Sequence, residues 1–159
     1  MPTPVEKDAC DLLDSDHIAV KHLFVDYARL AKGSPPGGPE ADKLSLARKI
    51  CNELTVHATI EEEIFYPALR QAINAPELLD EAEAEHQEAK ELIAQIEALT
   101  SADAALDELV DQLAQAIEHH VKEERDHLFP KARSAQGLDL FAIAAQLKER
   151  QQELEGQMA

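Results

Sequence analysis

The chain has 159 residues, 45% of them apolar, and a net charge of −17, so it can bury one substantial core and is too apolar for a disordered segment. So acidic a surface lacks the basic patches that nucleic acid and anionic membranes require, and no apolar run nears the ~20 residues that span a bilayer. Cys10 and Cys51 are too few for a disulfide framework, and Met1–Asp11 is too polar for a secretory leader, so a cytoplasmic monomer or weak homodimer with reduced thiols is expected.

Scarce glycine and abundant Ala, Leu, Glu and Gln favour helix throughout. The first helix is predicted from Ala9 to Lys32, with the seam Leu13, His17, Val20, Phe24, Tyr27. The Gly/Pro-rich stretch Gly33–Pro39 breaks it. The second runs from about Ala41 to Tyr66, with the seam Ile50, Leu54, His57, Glu61, Ile64. Pro67 interrupts this pattern, and Ala68–Ile73 can continue it as a kinked turn. Pro76 opens the third helix, which ends near Leu99 and has the seam Leu79, Ala82, His86, Ala89, Ile93, Ile96. Ser101 or Asp103 caps the fourth. Its seam is Leu106, Val110, Leu113, Ile117, His120, Glu124, His127, and it runs to about Phe129, where it meets Pro130. A last helix, Asp139–Leu154, offers Leu140, Ile143, Ala144 and Leu147 for packing on the rest.

Steps of three and four residues mark the core positions of a helical bundle. The predicted fold is all-α: an up-down-up-down four-helix bundle over residues 8–135, with an additional C-terminal helix and short tail over 136–159. The chain is also internally duplicated. Asp16-His17 parallels Glu85-His86, and His57 to Pro67 parallels His120 to Pro130. His17 and His86 lie at similar depths in their helices, and His57 and His120 each precede a proline by ten residues. In such a bundle all four imidazoles fall at one height.

Histidine and glutamate on core seams are costly to bury without partners. His57/Glu61 and His120/Glu124 stand at i and i+4, so each pair presents a nitrogen and a carboxylate to one centre. His17 and His86 add a nitrogen each. Four imidazoles and two carboxylates divide into two histidines per metal with two shared glutamates. That set leaves coordination positions open and suits iron or manganese, with zinc possible. Glu62 and Glu63 point away from this face and are expected in solvent. His127 lies ~10 Å beyond His120 and is expected at the bundle end or behind the ligands. His22 and His119 are expected in solvent; Tyr27 and Tyr66 could gate or donate to the centre, but are expected rather to pack with wet hydroxyls. No nucleophile triad, P-loop or dinucleotide fingerprint is present.

The pattern resembles the hemerythrin-like proteins, or HHE cation-binding domains, over roughly Asp8 to Arg133. The carriers are Asp16-His17, His57-x-x-x-Glu61 with Tyr66-Pro67, Glu85-His86, and His120-x-x-x-Glu124 ending in Leu128-Phe129-Pro130. The resemblance implies a four-helix bundle around a non-haem di-iron centre, with oxygen binding, sensing, or responses to nitric oxide or peroxide as family roles. Oxygen-carrying members have a fifth histidine one turn after the third-helix histidine. Here that position is Lys90, which as an ammonium does not ligate and should reach for the rim, as should its counterpart Lys21. The expected function is binding of two iron ions and a small diatomic or peroxide ligand for sensing or stress response, its signal passing to a separate, unknown protein partner. The rival readings are a di-iron oxidase, peroxidase or ferroxidase and a metal-stabilised interaction module.

Overall fold

A computed structural model describes residues 7–33 and 40–158. Most of the predicted Gly/Pro break, and residues 1–6, lie outside the described residues. Five helical elements account for the fold. Helix α1 is Ala9–Gly33. Helix α2 comprises an α-helix Glu40–Ile60, a π turn Glu61–Phe65 and a final stretch Tyr66–Ala72. Helix α3 is Pro76–Glu97, with Pro76 in its first turn as predicted. Helix α4 comprises Ala104–Glu123, a second π turn Glu124–Leu128, and Phe129–Ser134. Helix α5 is Leu140–Met158. Asp103 caps α4, its side chain accepting from the Ala105 and Leu106 amides.

Neither α2 nor α4 stops at its proline. Proline lacks an N–H and crowds the carbonyl four residues back. In both helices the turn before it widens: the Tyr66 amide bonds the Glu61 carbonyl and the Phe129 amide bonds the Glu124 carbonyl, five residues back. Helix α4 therefore continues past the predicted end near Phe129. The extra residue also turns the seam by one position. Phe65 and Leu128 are buried where Ile64 and His127 were expected, and Ile64 is only partly buried while His127 is exposed.

The bundle pairs α1 with α2, α3 with α4, α2 with α3 and α1 with α4, and α5 packs on α1 and α2. Its apolar interior has two parts. One holds Cys10, Leu13, Phe65, Leu69 and Phe129 together with Leu140, Ile143, Ala144 and Leu147 of α5. The other holds Val20, Ile50, Leu54, Ile93, Ile96 and Leu113. All four predicted apolar residues of α5 are thus core residues. Between the two parts lies one polar layer: His17, His57, Glu61, His86, His120 and Glu124, all buried.

Candidate metal centre

The four histidines meet in two pairs. The Nε2 atoms of His17 and His57 are 3.1 Å apart, as are those of His86 and His120. The rings of the two pairs cross at 63° and 62° with centroids 4.8 and 4.6 Å apart, so the sequence repeat is a repeat of geometry. Two imidazoles on one cation at ~2.1 Å have their nitrogens ~3–4 Å apart, so each pair could share an ion.

The glutamates join the pairs. Glu61 Oε1 lies 2.8 Å from His57 Nε2 and 3.3 Å from His86 Nε2. Glu124 Oε1 lies 2.8 Å from His120 Nε2 and 3.4 Å from His17 Nε2. Each carboxylate therefore touches one histidine from each pair.

Carboxylates behind the rings fix their orientation. His17 Nδ1 faces Asp14 at 3.3 Å and His57 Nδ1 faces Asp16 at 3.2 Å. His86 Nδ1 faces Glu62 at 3.1 Å and His120 Nδ1 faces Glu85 at 2.8 Å. An imidazole that donates through Nδ1 turns a bare Nε2 lone pair inward, as a metal ligand requires. These carboxylates are anchored in turn: Asp14 by Arg125, Glu62 by Lys90 at 2.7 Å, and Asp16 by Gln151 of α5 at 3.4 Å. Glu85 also lies 3.1 Å from His119.

Several expectations change here. Glu62 is not a solvated residue, because it holds His86. His119 is exposed yet paired with Glu85, and His127 stands off the seam 3.8 Å from Glu123. Neither tyrosine has a wet hydroxyl. Tyr27 donates to Asp107 at 2.7 Å. Tyr66 is fully buried, its oxygen 3.2 Å from His86 Nε2, 3.3 Å from His120 Nε2 and 3.5 Å from Glu124 Oε2. The repeat held a signal for Tyr66, since it aligns with Phe129, which stacks on His17 as Tyr66 packs on His86. Lys90 reaches the rim as expected, its side chain 48% exposed.

The electrostatics describe a centre built for positive charge. Glu61 Oε2 is buried with no hydrogen-bond donor, and the buried Glu61 Oε1 and Glu124 Oε1 meet only imidazole nitrogens. Burial alone would lower the His57 pKa, but Glu61 and then Asp16 outweigh it and push the value up to about 10. His120 is likewise held well above its usual range, Glu124 overcoming its burial. Burial alone would raise the Glu61 pKa, yet the His57 charge beside it holds the carboxyl well below the usual range. Burial, with Glu124 and Glu61, pushes the Tyr66 phenol well above 10. Protons held on His57 and His120 offset the buried carboxylates of the metal-free protein and mark where cations would stand, and the six residues fall into two groups that fit a cation each.

On the other side of the histidines is a cavity of about 40 Å³, roofed by Val20, Leu54, Ala89, Ile93, Ile117 and Val121, which all four imidazoles line. A water needs ~10–15 Å³ of such space, so a diatomic molecule or peroxide fits.

A bundle with this buried histidine–glutamate layer defines a cation-binding helical protein. The model of the hemerythrin HHE cation binding domain matches residues 8–132, and the chain belongs to that family. It is 31% identical over 127 residues to a DNA nickase of Nostoc sp. (strain PCC 7120 / SAG 25.82 / UTEX 2576), covering 78% of this chain but about a third (33%) of that protein. Among solved structures it is similar to a hemerythrin HHE cation binding domain-containing protein from Mycobacterium kansasii, with a TM-score of 0.77 at 20% identity, covering 95% of this chain and 89% of that one. No helix among the described residues is long and apolar enough to cross a membrane.

Proposed function

We propose that the protein is a non-haem di-iron protein that binds a small diatomic or peroxide ligand for sensing or stress response. His17 and His57 would hold one ion and His86 and His120 the other, with Glu61 and Glu124 placed to serve both. The observation that carries this reading is the pair of buried carboxylates whose Oε1 atoms meet only imidazole nitrogens, each within 3.4 Å of one from both halves. The metal pair, when bound, supplies open coordination positions and redox capacity. The residues do the rest. Asp14, Asp16, Glu62 and Glu85 hold the imidazoles in the ligating tautomer. The cavity wall, apolar except for the histidines, Asp16, Thr55 and Lys90, limits the ligand to a few atoms. With Lys90 where oxygen-carrying relatives place a histidine, a position stays open for that ligand.

Tyr66 favours one rival, a di-iron oxidase or peroxidase, because its neutral phenol can donate a proton or hydrogen bond at one half of the centre. DNA is not the proposed target, because a net charge of −17 opposes a phosphate backbone. The proposed setting is cytoplasmic. The test is to mix anaerobically reduced, iron-loaded protein with nitric oxide, oxygen or peroxide and follow absorption. A stoichiometric spectral change without turnover supports a binding protein, and sustained consumption of peroxide or oxygen with a reductant supports the enzyme. No change with any of the three would refute both.

A further inference from the structure

A second space lies outside the cavity. It is a groove of about 490 Å³ along the α1–α4 seam, with Phe24, Val25 and Ala28 on one bank, Ala114 on the other, and the charged residues Lys21, Lys122, Arg125, Glu118 and Asp126 along it. The groove and the inner cavity share three lining residues: His17, Ile117 and Val121. Three other surface spaces, on α2 with α5 and along two stretches of α3 with α4, share none with the cavity. A wall one side chain thick thus separates the open groove from the space against the histidines.

We propose that small ligands reach the centre through the α1–α4 groove, with Ile117 and Val121 as its gate. This rests on the proposed small-ligand function and adds its route. Ile117 and Val121 are half-buried, one turn apart on α4, with no polar group of their own to bond. β-Branched side chains in a helix hold one χ1 rotamer most of the time, so the gate is closed at rest and opens by brief rotamer excursions. The wall passes neutral diatomics and molecules of similar girth, and it opposes hydrated ions by desolvation. Lys21, Lys122 and Arg125 along the groove outnumber Glu118 and Asp126 by one charge, a locally positive balance on a strongly acidic protein that favours small anions at the entrance.

The experiment is stopped-flow association and dissociation of nitric oxide with the reduced, iron-loaded full chain, and of azide with the oxidised form. Ala114 lines the groove but not the cavity, so Ala114→Trp should plug the route without touching the bound ligand. Ala28→Trp does the same from the facing, exposed bank and serves if the first variant misfolds. Each should slow association and dissociation together by about tenfold, a barrier rise of ~1.4 kcal/mol, with Kd unchanged. Ile117→Ala should speed both. Lys122→Glu should slow azide and leave nitric oxide unaffected. Rates identical to the parent in the Trp and Ala variants would place the route elsewhere and overturn the gate while the ligand-binding function stands. A changed Kd at a constant association rate would overturn it too, by making these residues part of the bound site. No adduct in the parent protein would overturn the function and the gate with it.

Discussion

Tyr66 and Phe129 occupy matching places in the two repeats and differ by one oxygen. That oxygen lies within 3.3 Å of both His86 and His120 Nε2, so the two halves of a symmetric ligand set are chemically unequal. Tyr66→Phe should keep the fold and the metal while changing the half it faces. The expected outcome is unchanged metal content by elemental analysis and an altered rate of decay of the ligand-bound spectrum. Asp16 acts through His57. Asp16→Ala should weaken metal binding by about 10–100-fold, the usual loss when such an orienting carboxylate goes, read by competition with a chelator. The pH response of the metal-free protein follows from His57. Its pKa in the fold, about 10, exceeds its unfolded value of ~6.5. Its contribution to stability is therefore fully present below pH ~6.5 and is lost as pH rises through about 10. The melting temperature of metal-free protein should fall over that interval, while metal-loaded protein, with His57 ligated, should not show the same decline.

At the scale of elements, the π turns decide which parts of the site the sequence discloses. His57, Glu61, His120 and Glu124 precede or open the irregular turns of α2 and α4, and the helices that carry His17 and His86 have none, so regular helical spacing puts all six on the core face. Beyond Glu61 and Glu124 the register shifts by one. That is why Phe65 and Leu128, rather than Ile64 and His127, face inward, and why α4 runs past Pro130. The orienting carboxylates escape periodicity for another reason. Asp14, Asp16, Glu62 and Glu85 flank the seams, where charged residues normally meet water, and only the packing of neighbouring helices shows which imidazole each one reaches. Helix α5 was legible as an amphipathic addition, but its tie to the site was not: Gln151 holds Asp16, and Arg150 pairs with Glu63 of the first π turn at 3.1 Å. Leu147 anchors that helix with no exposed surface. Leu147→Ala should cost about 2–5 kcal/mol, measured by denaturant unfolding.

Across the whole molecule, an ionic layer separates two apolar parts of one core. Buried carboxylates are costly unless fully paired; among the described residues Glu61 Oε2 has no partner, and Glu61 Oε1 and Glu124 Oε1 meet only imidazole nitrogens. Cations bound only in the fold convert that cost into stabilisation. Removal of metal by a chelator should lower the melting temperature, and return of metal should restore it. Glu61→Gln should weaken loading of both ions, because Glu61 reaches both halves of the centre. The proposed function requires a two-metal centre in every chain. Elemental analysis of protein purified without air, set against protein concentration from amino-acid analysis, tests it most directly. Two iron ions per chain at saturation are expected; one metal per chain with no second site, or a zinc-loaded, colourless protein that takes up no iron, would contradict the di-iron reading.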